Sequence, residues 1–360
     1  MIANAIQIIC IVVLIALTVG SLLNISTSSH WFIRGWDFPR MQILGIAVLV
    51  AIVFFSTQLF LTTELPVAAS WVVASIILFL VGWHGYRIVP YTQLWPKQTL
   101  SPSTSDSRNS LRLIVSNVEM ENDQYEKWLR TINQENPDVV VALEVNDSWM
   151  DALADWRSNY PHQVAYPQDN WYGMLLASKL PIVESEVKFL VQDDIPSIHA
   201  KIRLKSEEVI QLICVHPRPP EPLRDNDSSS RDAEMMLLGE ELQTEDGPVI
   251  VGGDLNDVAW SRTTRLFLRI SDLLDPRRGR GFFNSFHAHH AFMRFPLDHV
   301  FHSQHFGLRE LRRLGNVGSD HFPFLIELQY EPELTEKQES LEASEADEEL
   351  ADELQEREHV

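Results

Sequence analysis

The first hundred residues contain three long apolar stretches in which no Asp, Glu, Lys or Arg occurs. The stretches run from about 5 to 23, from 41 to 63 and from 65 to 86. A helix needs about 20 apolar residues to cross the hydrocarbon core of a bilayer, and a chain inside lipid must satisfy its backbone hydrogen bonds internally. Each stretch is therefore predicted to form a transmembrane helix, and residues 1–91 are predicted to form a membrane domain.

A cleaved signal peptide is the alternative interpretation of the first stretch. Signal peptides begin with a basic segment and end at a small-residue cleavage site, but the first charged residue here is Arg34 and no clear cleavage site precedes it. Aromatic residues, which favour membrane–water boundaries, cluster beside the stretches: Trp31, Phe32, Trp36, Trp83, Tyr86, Tyr91 and Trp95. We therefore expect the first stretch to be a retained membrane span.

Four basic residues predict the orientation of the membrane domain. Arg34 and Arg40 lie between the first two spans. Arg87 and Lys97 follow the third span, whereas the N-terminus and the turn at Glu64 carry no Lys or Arg. Because cytoplasmic loops are enriched in Lys and Arg, we predict a multi-pass protein of the cell (inner) membrane whose C-terminal region lies in the cytoplasm.

The remaining chain divides into a linker, a globular region and a tail. Residues 92–110 are rich in Ser, Thr and Pro and are predicted to form a flexible linker. Short β-branched runs alternate with amphipathic helical segments over residues 111–330, which favours an α+β sandwich over a doubly wound parallel sheet. Residues 331–360 carry 13 acidic and two basic side chains, so we expect a disordered tail or a solvated helix.

The chain is acidic, and its charge is unevenly distributed. Its formal net charge is −21, of which residues 1–100 contribute +2, residues 101–330 contribute −12 and the tail contributes −11. Non-specific nucleic-acid binding depends on Lys and Arg that neutralise phosphates, so we expect no stable non-specific DNA binding. Two cysteines, Cys10 and Cys214, exclude a disulfide framework.

Polar and acidic residues follow several of the predicted strands. The segments are Ser116–Glu119, Leu143–Asn146, Val215–Pro217, Gly252–Asn256 and Ser319–Pro323, and a sixth, Leu297–Phe301, contains an Asp-His pair within an apolar strand. Clustered carboxylates repel one another unless a cation or a proton neutralises them. Carboxylate and amide oxygens without a cysteine cluster are typical ligands of Mg²⁺ or Mn²⁺. These segments therefore predict a divalent-metal site along one edge of a sandwich.

The ordered set of motifs resembles the endonuclease/exonuclease/phosphatase (DNase I-like) superfamily. The specific pieces are Gly-Asp-x-Asn at 253–256 and Ser-Asp-His-x-Pro at 319–323, and the resemblance covers Leu111 to Tyr330 in the family's order. The first motif departs from the pattern, because Ser116 directly precedes Asn117. The resemblance implies a four-layer α/β-sandwich of two packed mixed β-sheets flanked by helices, preceded here by the three transmembrane helices of bacterial membrane-anchored members.

The resemblance implies a metal site made of four residues. Glu144 would bind the principal divalent ion, Mg²⁺ with Mn²⁺ as the alternative, and Asn117 and Asp320 would lie close to it. Glu119 matches a position at which some relatives carry an acidic residue near the metal.

The resemblance also implies the catalytic residues. Asp254 and Asn256 would position the attacking water and the phosphate, with the binding of a second metal ion left open. His321 would contact the scissile phosphate or act as the base, held in orientation by Asp298, and His216 would bond to the phosphate or protonate the leaving oxygen. A histidine can move a proton near neutral pH, and a carboxylate partner fixes its tautomer.

We therefore predict a membrane-anchored, divalent-metal-dependent phosphoesterase that hydrolyses a phosphodiester by metal- and histidine-assisted attack of water. The phosphate-ester substrate is left open between nucleic acid and a phospholipid or small phosphoester. A catalytically silent scaffold protein at the membrane is the alternative. A transport or sensor function is disfavoured, because translocation paths are usually marked by ionisable residues and His84 is the only one inside a predicted span.

Two further groups of residues could have either a structural or a functional role. Nine arginines occur in three clusters, and they could recognise phosphate groups or pair with acidic residues of the same chain: Arg262, Arg265, Arg269, Arg277, Arg278, Arg280, Arg309, Arg312 and Arg313. His287, His289 and His290 resemble metal ligands by type, but their spacing matches no closed zinc site, so we expect ordinary loop histidines.

Overall fold

The computed structural model describes residues 1–63, 65–220, 227–245 and 247–357. Glu64, which entered the orientation argument, and the end of the acidic tail lie outside these ranges. The helices are α1 (Ile2–Leu22), α2 (Trp31–Arg34), α3 (Arg40–Phe60), α4 (Val67–Ile88), α5 (Tyr125–Glu135), α6 (Asp147–Ala152), α7 (Ala154–Arg157), α8 (Ser229–Gln243), α9 (Arg262–Ile270) and α10 (Glu345–Glu356). The strands are β1 (Ser110–Asn117), β2 (Val139–Leu143), β3 (His162–Tyr166), β4 (Met174–Ser178), β5 (Ile182–Lys188), β6 (Ser197–Arg203), β7 (Val209–Val215), β8 (Val249–Asp254), β9 (Asp298–His302), β10 (Phe306–Arg313) and β11 (Phe324–Tyr330).

Three of the helices, α1, α3 and α4, are long and apolar enough to cross a membrane. They pack against one another through a limited set of buried side chains: Cys10, Leu14, Ile43, Ala47, Phe54, Val73 and Leu80. Many of their other apolar side chains, including Ile9, Leu49 and Leu78, are exposed, as expected of a surface that contacts lipid. The predicted spans agree with these helices to within three residues at each end.

Two mixed β-sheets pack face to face in the rest of the chain. One has the strand order β10-β11-β1-β2-β4-β3 and the other β5-β6-β7-β8-β9. Apolar side chains of both sheets fill the space between them, among them Leu113, Val115, Val141, Leu176, Ile198, Leu212 and Ile250. Helices α5 to α7 cover the outer face of the first sheet, and α8 to α10 cover that of the second. The predicted four-layer α/β-sandwich is confirmed.

The central strands place their carboxyl ends at one edge of the sandwich. β1 pairs in parallel with β2, with Asn117 opposite Leu143, and β7 pairs in parallel with β8, with Val215 opposite Gly253. All residues of β2 and β8 are buried, which is typical of central parallel strands rich in β-branched residues. Because parallel strands end at the same edge of a sheet, the polar residues that follow these four strands meet there.

The segment predicted to be a flexible linker, residues 92–110, packs against the sandwich. Thr99 is fully buried, and its hydroxyl lies 2.9 Å from His302 Nε2. The carbonyl of Leu100 accepts a hydrogen bond from the backbone N–H of Leu308 at 2.8 Å. The Ser, Thr and Pro content that suggested flexibility instead provides short polar groups for these contacts, so the segment forms part of the sandwich surface.

The acidic tail also differs from the prediction. Its helix α10 packs on α8 and α9, where Ala351 and Leu354 are buried, and Arg269 Nη2 lies 2.7 Å from Asp347 Oδ1. Leu350, Ala351 and Leu354 form one apolar stripe at helical spacing, which the acidic composition obscured. The tail therefore contains a packed helix rather than a disordered or fully solvated segment.

The end of the bundle formed by the apolar helices α1, α3 and α4 contacts the sandwich. The loop between α1 and α3 is here called the interspan loop (residues 23–39). The carbonyl of Asp37 in this loop accepts a hydrogen bond from Trp260 Nε1 at 2.8 Å. Just beyond α4, the hydroxyl of Tyr91 donates to the carbonyl of Ala259 at 2.6 Å. Both donors are buried aromatic side chains. The sandwich is therefore held directly against the end of the helix bundle.

Candidate active site

An asparagine at the end of β1 joins carboxylates from both sheets. Asn117 is 1% exposed, and its side-chain nitrogen donates to Glu144 Oε1 at 2.8 Å and to Asp254 Oδ2 at 3.1 Å. Glu144 follows β2 of the first sheet, and Asp254 ends β8 of the second. The amide uses both of its N–H donors on these contacts. A neutral group therefore holds two carboxylates together that would otherwise repel each other.

The turn after β8 fixes the positions of Asp254 and Asn256. A Cβ atom on Gly253 would lie 1.8 Å from the carbonyl oxygen of Val215, so glycine is required for β8 to pair with β7 at this point. Asp254 Oδ1 accepts a hydrogen bond from the backbone N–H of Asn256 at 2.9 Å. Asn256 Nδ2 donates to the carbonyl of Pro217 at 3.0 Å. Both side chains are thus held by local hydrogen bonds before any ligand binds.

His321 lies between two buried aspartates. Its Nδ1 is 2.7 Å from Asp298 Oδ2, and its Nε2 is 3.4 Å from Asp254 Oδ2. Burial alone would lower the pKa of His321, but Asp298 and Asp254 outweigh burial and raise the pKa well above its ordinary value. Burial alone would raise the pKa of Asp254, but His321 and His216 lower it. The imidazole and Asp254 therefore stabilise each other's charged forms.

The second histidine, His216, follows β7 and is nearly inaccessible to solvent. Its Nε2 is 3.8 Å from Asp254 Oδ2, and its ring centroid is 5.2 Å from that of Tyr172. Burial lowers the pKa of His216 to about 4, so the ring is neutral at neutral pH. A neutral imidazole next to Asp254 can donate or accept one hydrogen bond without adding charge.

Two acidic residues extend the site along the same edge. The backbone N–H of Asp320 donates to Glu119 Oε2 at 3.0 Å, and the backbone N–H of Glu119 donates to Asn117 Oδ1 at 3.0 Å. Ser319 Oγ donates to the carbonyl of Asn117 at 2.9 Å. The segments after β1 and before β11 are therefore joined at the asparagine that also binds Glu144.

Three of the site residues have left-handed backbone conformations. The φ angles of Glu119, Glu144 and Asn256 are 58°, 65° and 51°. A non-glycine residue with positive φ is uncommon, and such strain occurs preferentially at functional sites. The backbone at this edge is therefore shaped to aim side chains rather than to continue the strands.

These side chains open into one cavity of about 450 Å³. His216, Asn256 and His321 contribute to its wall. Among the described residues, the wall also contains five carboxylates and no Lys or Arg: Glu119, Glu121, Glu144, Asp254 and Asp320. The cavity is therefore strongly negative unless a cation enters it.

Comparison with known proteins identifies the family of this chain. Residues 114–321, more than half of the sequence, match the model of the Endonuclease/Exonuclease/phosphatase family. The chain belongs to this family. Members of the family hydrolyse phosphoester bonds, so the chain is a hydrolase acting on ester bonds. None of the curated proteins matches the sequence.

Solved structures of the endonuclease/exonuclease/phosphatase fold resemble the chain at low sequence identity. A family member from Bacteroides vulgatus is 17% identical, with a TM-score of 0.50 over 62% of this chain and 99% of that one. A member from Beutenbergia cavernae is 15% identical, with a TM-score of 0.50 over 62% and 72%. A humanized D. rerio TDP2 is also 15% identical, with a TM-score of 0.50 over 61% and 99%. These likenesses show the shared fold.

Members of this family typically use divalent metal ions, and the donor set of the cavity fits such an ion. Burial raises the pKa of Glu144 to about 7, although the hydrogen bond from Asn117 and the charge of His321 act to lower it. Hard oxygen donors suit Mg²⁺ or Mn²⁺. In the described parts of the chain, the acidic and histidine ligand atoms that lie within 4.8 Å of one another are those of Asp254, Asp298 and His321, whereas Glu144, Glu119 and Asp320 form no such group. The structure thus offers carboxylates for a cation on both sides of Asn117.

Two further residues of this family member support the site and were missed by the sequence analysis. Arg231 of α8 is 2% exposed and donates through Nη1 to the carbonyl of Asn256 at 2.8 Å. The ring centroid of Phe286 is 4.9 Å from that of His321. An arginine in an amphipathic helix and a phenylalanine in a loop have no local sequence signal that links them to a site far away in the chain.

The arginine clusters do not line the described cavity wall, whereas the histidine cluster lies beside the cavity. None of the nine arginines lines its described wall, and several pair with acidic residues, as in Arg269–Asp347, Arg277–Asp275, Arg309–Glu327 and Arg312–Glu135. The rings of His287 and His290 contact each other at 4.5 Å between centroids, and both belong to a loop beside the cavity. Four of the nine arginines therefore form ion pairs within the described chain.

Proposed function

We propose that this chain is a membrane-anchored, divalent-metal-dependent phosphodiesterase. The observation that carries the proposal is the contact of Asn117 with Glu144 and Asp254, next to the His321–Asp298 pair, at one cavity. This combination provides oxygen ligands for a cation, a carboxylate beside the reacting centre and an oriented imidazole. Hydrolysis of a phosphodiester needs all three groups, because the negative charge of the phosphate must be compensated before water can attack phosphorus.

Glu144 and Asn117 would hold the metal ion, and Asp320 and Glu119 would lie next to it along the cavity wall. When bound, the ion supplies Lewis-acid polarisation of the phosphoryl oxygen and compensates its charge. The raised pKa of Glu144 supports this assignment, because a divalent cation would stabilise the ionised carboxylate.

The remaining residues would act on water and phosphate. Asp254 orients the attacking water and accepts its proton. The pKa of the Asp254 carboxyl is lowered, so the side chain is ionised before the water binds. His321 is held by Asp298 through Nδ1, and its Nε2, which lies beside Asp254, donates to a phosphate oxygen as negative charge develops. Asn256 donates to the same phosphate through its side-chain amide, and the neutral ring of His216 forms a hydrogen bond with the phosphate.

The three apolar helices α1, α3 and α4 would anchor the enzyme in the cell (inner) membrane. Arg34, Arg40 and Arg87 lie at the end of the bundle that contacts the sandwich. The positive-inside bias then places the sandwich in the cytoplasm.

The proposal is tested with the full chain in detergent micelles and bis(p-nitrophenyl) phosphate as substrate. We expect hydrolysis with Mg²⁺ or Mn²⁺ and none with EDTA. Asp254→Asn should lower kcat/KM by about 1,000-fold, since it removes the proton acceptor. Asp155→Asn, an exposed carboxylate on α7, is the matched control and should retain wild-type activity.

The result that overturns the proposal is a folded wild-type chain, with metal present, that is no faster than Asp254→Asn. That result would support the silent membrane scaffold instead. Activity that persists unchanged in EDTA would overturn the metal dependence alone.

A further inference from the structure

The wall of the active-site cavity is completed by the membrane part of the chain. Trp31, Gly35 and Phe38 of the interspan loop line the same cavity as Asp254 and His321. These residues precede Asp254 by more than 200 positions and lie between two helices that can span a bilayer. The cavity is therefore built partly from residues at the boundary of the membrane.

A second segment of the rim is attached to the membrane helices. The rings of Phe295 and Phe38 meet at 5.5 Å between centroids, and Gln42 Nε2 donates to the carbonyl of Phe292 at 2.7 Å. Gln42 lies in the first turn of α3. The loop that carries Phe292 is therefore held at the level at which this helix enters the bilayer.

The tip of this loop exposes apolar side chains at that level. Phe292 is 90% exposed and Met293 is 55% exposed, and both belong to a short 3₁₀ helix, Ala291–Met293. Exposed apolar side chains of this size are costly in water but favourable at a membrane interface. Phe32 of the interspan loop is also half exposed. Both segments that frame the cavity therefore expose large apolar side chains.

The charge of the cavity disfavours a nucleic-acid strand. A strand carries many phosphates and needs Lys or Arg along its path, whereas the described cavity wall has five carboxylates and no such residue. A single phosphoester group needs no such residues, because a bound cation can balance its charge. The bilayer next to the cavity presents phosphoesters of that kind at its surface.

We infer that the active site takes the phosphodiester of a bilayer lipid, with the headgroup in the cavity and the apolar part in the membrane beside the interspan loop and Phe292. This inference rests on the proposed phosphodiesterase function and names its substrate class. It assigns Trp31 and Phe38 to substrate binding and Phe292 to contact with the membrane.

The first test compares substrates for the full chain with Mg²⁺ or Mn²⁺. The chain is reconstituted in vesicles of phosphatidylethanolamine and phosphatidylglycerol, and headgroup release is followed by ³¹P NMR. Short-chain phosphatidylglycerol that is monomeric in water, single-stranded DNA and bis(p-nitrophenyl) phosphate are the comparison substrates. We expect the bilayer lipid to be hydrolysed at least about tenfold faster than the short-chain lipid, because anchoring raises its effective concentration at the site.

Variants then test the residues that carry the inference. Phe292→Ser and Trp31→Ala should each lower the ratio of lipid to bis(p-nitrophenyl) phosphate hydrolysis by about fivefold or more, since each removes apolar surface at the bilayer side. Val209→Ser is the matched control, because Val209 is also an exposed apolar residue. Val209 begins β7, and the other end of this strand, next to His216, lies about 20 Å from it. The ratio of lipid to bis(p-nitrophenyl) phosphate hydrolysis in Val209→Ser should therefore equal that of wild type.

A second readout does not depend on activity. A nitroxide-quenchable fluorophore is attached at Phe292→Cys, with Val209→Cys as the control, in the full chain with its two buried native cysteines. Lipids with a nitroxide on the acyl chain should quench the label at position 292 and leave that at position 209 bright.

The outcomes separate the inference from the proposed function. Hydrolysis of bis(p-nitrophenyl) phosphate or DNA without headgroup release leaves a phosphodiesterase and overturns the lipid substrate. Equal quenching at both positions overturns the membrane contact of Phe292. No hydrolysis of any substrate overturns the phosphodiesterase, whereas quenching at position 292 alone would still establish the membrane contact.

Discussion

At the scale of single residues, Asp298 contacts the proposed active site through His321. It is fully buried, and its carboxylate lies 2.7 Å from His321 Nδ1. It does not line the cavity. Its proposed role is therefore to fix the orientation and tautomer of the imidazole, which makes it a positioning residue.

We predict that Asp298→Asn lowers kcat by about 100-fold while metal binding changes little, because the amide keeps the shape but can hold the wrong imidazole tautomer. Steady-state kinetics on bis(p-nitrophenyl) phosphate measures the first effect, and calorimetric titration with Mn²⁺ measures the second. A kcat within twofold of wild type would contradict the positioning role. A loss of Mn²⁺ affinity equal to the loss of kcat would place Asp298 among the metal ligands instead.

Glu234 on α8 provides a pH-dependent contribution to stability that is separate from catalysis. It is 4% exposed, and its Oε1 has no hydrogen-bond partner among the described residues. Burial raises its pKa to about 8, whereas an exposed glutamate has a pKa of about 4.3. The folded chain binds the Glu234 proton more tightly than the unfolded chain does, so protonation of Glu234 stabilises the fold. This stabilisation is complete below about pH 4.3 and is lost as the pH rises toward 8.

Glu234→Gln should therefore raise the unfolding temperature at pH 8 by about 5 °C and change it little at pH 5. Thermal unfolding of the full chain in detergent, followed by circular dichroism, measures both values. Glu240→Gln on the same helix is the control, with no pH-dependent gain expected. Equal gains for Glu234→Gln at both pH values would show that titration of Glu234 is not the cause.

At the scale of secondary-structure elements, the strand ends were predictable because their signals are local. A buried β-branched run followed by Gly253, Asp254 and Asn256 identifies both a central strand and the polar turn after it. The acidic tail was not predictable in the same way. Its helix α10 depends on an apolar stripe of a few residues, and whether that stripe is buried depends on α8 and α9, which are distant in sequence.

We predict that Leu354→Ser detaches α10 from the sandwich, since it removes a buried anchor of the helix. A glutamate-specific protease should then cleave residues 345–357 at least about tenfold faster than in wild type, because local opening controls cleavage. Asp352→Ser, an exposed change on the same helix, should leave the cleavage rate unchanged. Cleavage at the wild-type rate in Leu354→Ser would show that α10 does not depend on this contact.

At the scale of the whole molecule, the topology of the chain sets where the active site lies. The interspan loop and the end of α4 both contact the sandwich, and three spans would put them on the same side of a membrane. The basic residues on this side predict a cytoplasmic sandwich.

Fusions after Val360 test this orientation. We expect a green fluorescent protein fusion to fluoresce and an alkaline phosphatase fusion, which is active only after export, to be inactive. Fusions of the same reporters after Met1, on the opposite side of an odd number of spans, should give the reverse pattern. An active phosphatase after Val360 would place the sandwich and its cavity outside the cytoplasm.

The sequence by itself determined the three apolar helices, the family and the polar residues at the strand ends, because each of these depends on composition or spacing within a short segment. Only the tertiary structure decided that residues 92–110 and α10 pack on the sandwich, that Arg231 and Phe286 support the site, and that Trp31 and Phe38 complete its cavity. These contacts join segments that are far apart in the chain. Their stability depends on the shape and burial of both partners, which no local pattern in either segment encodes.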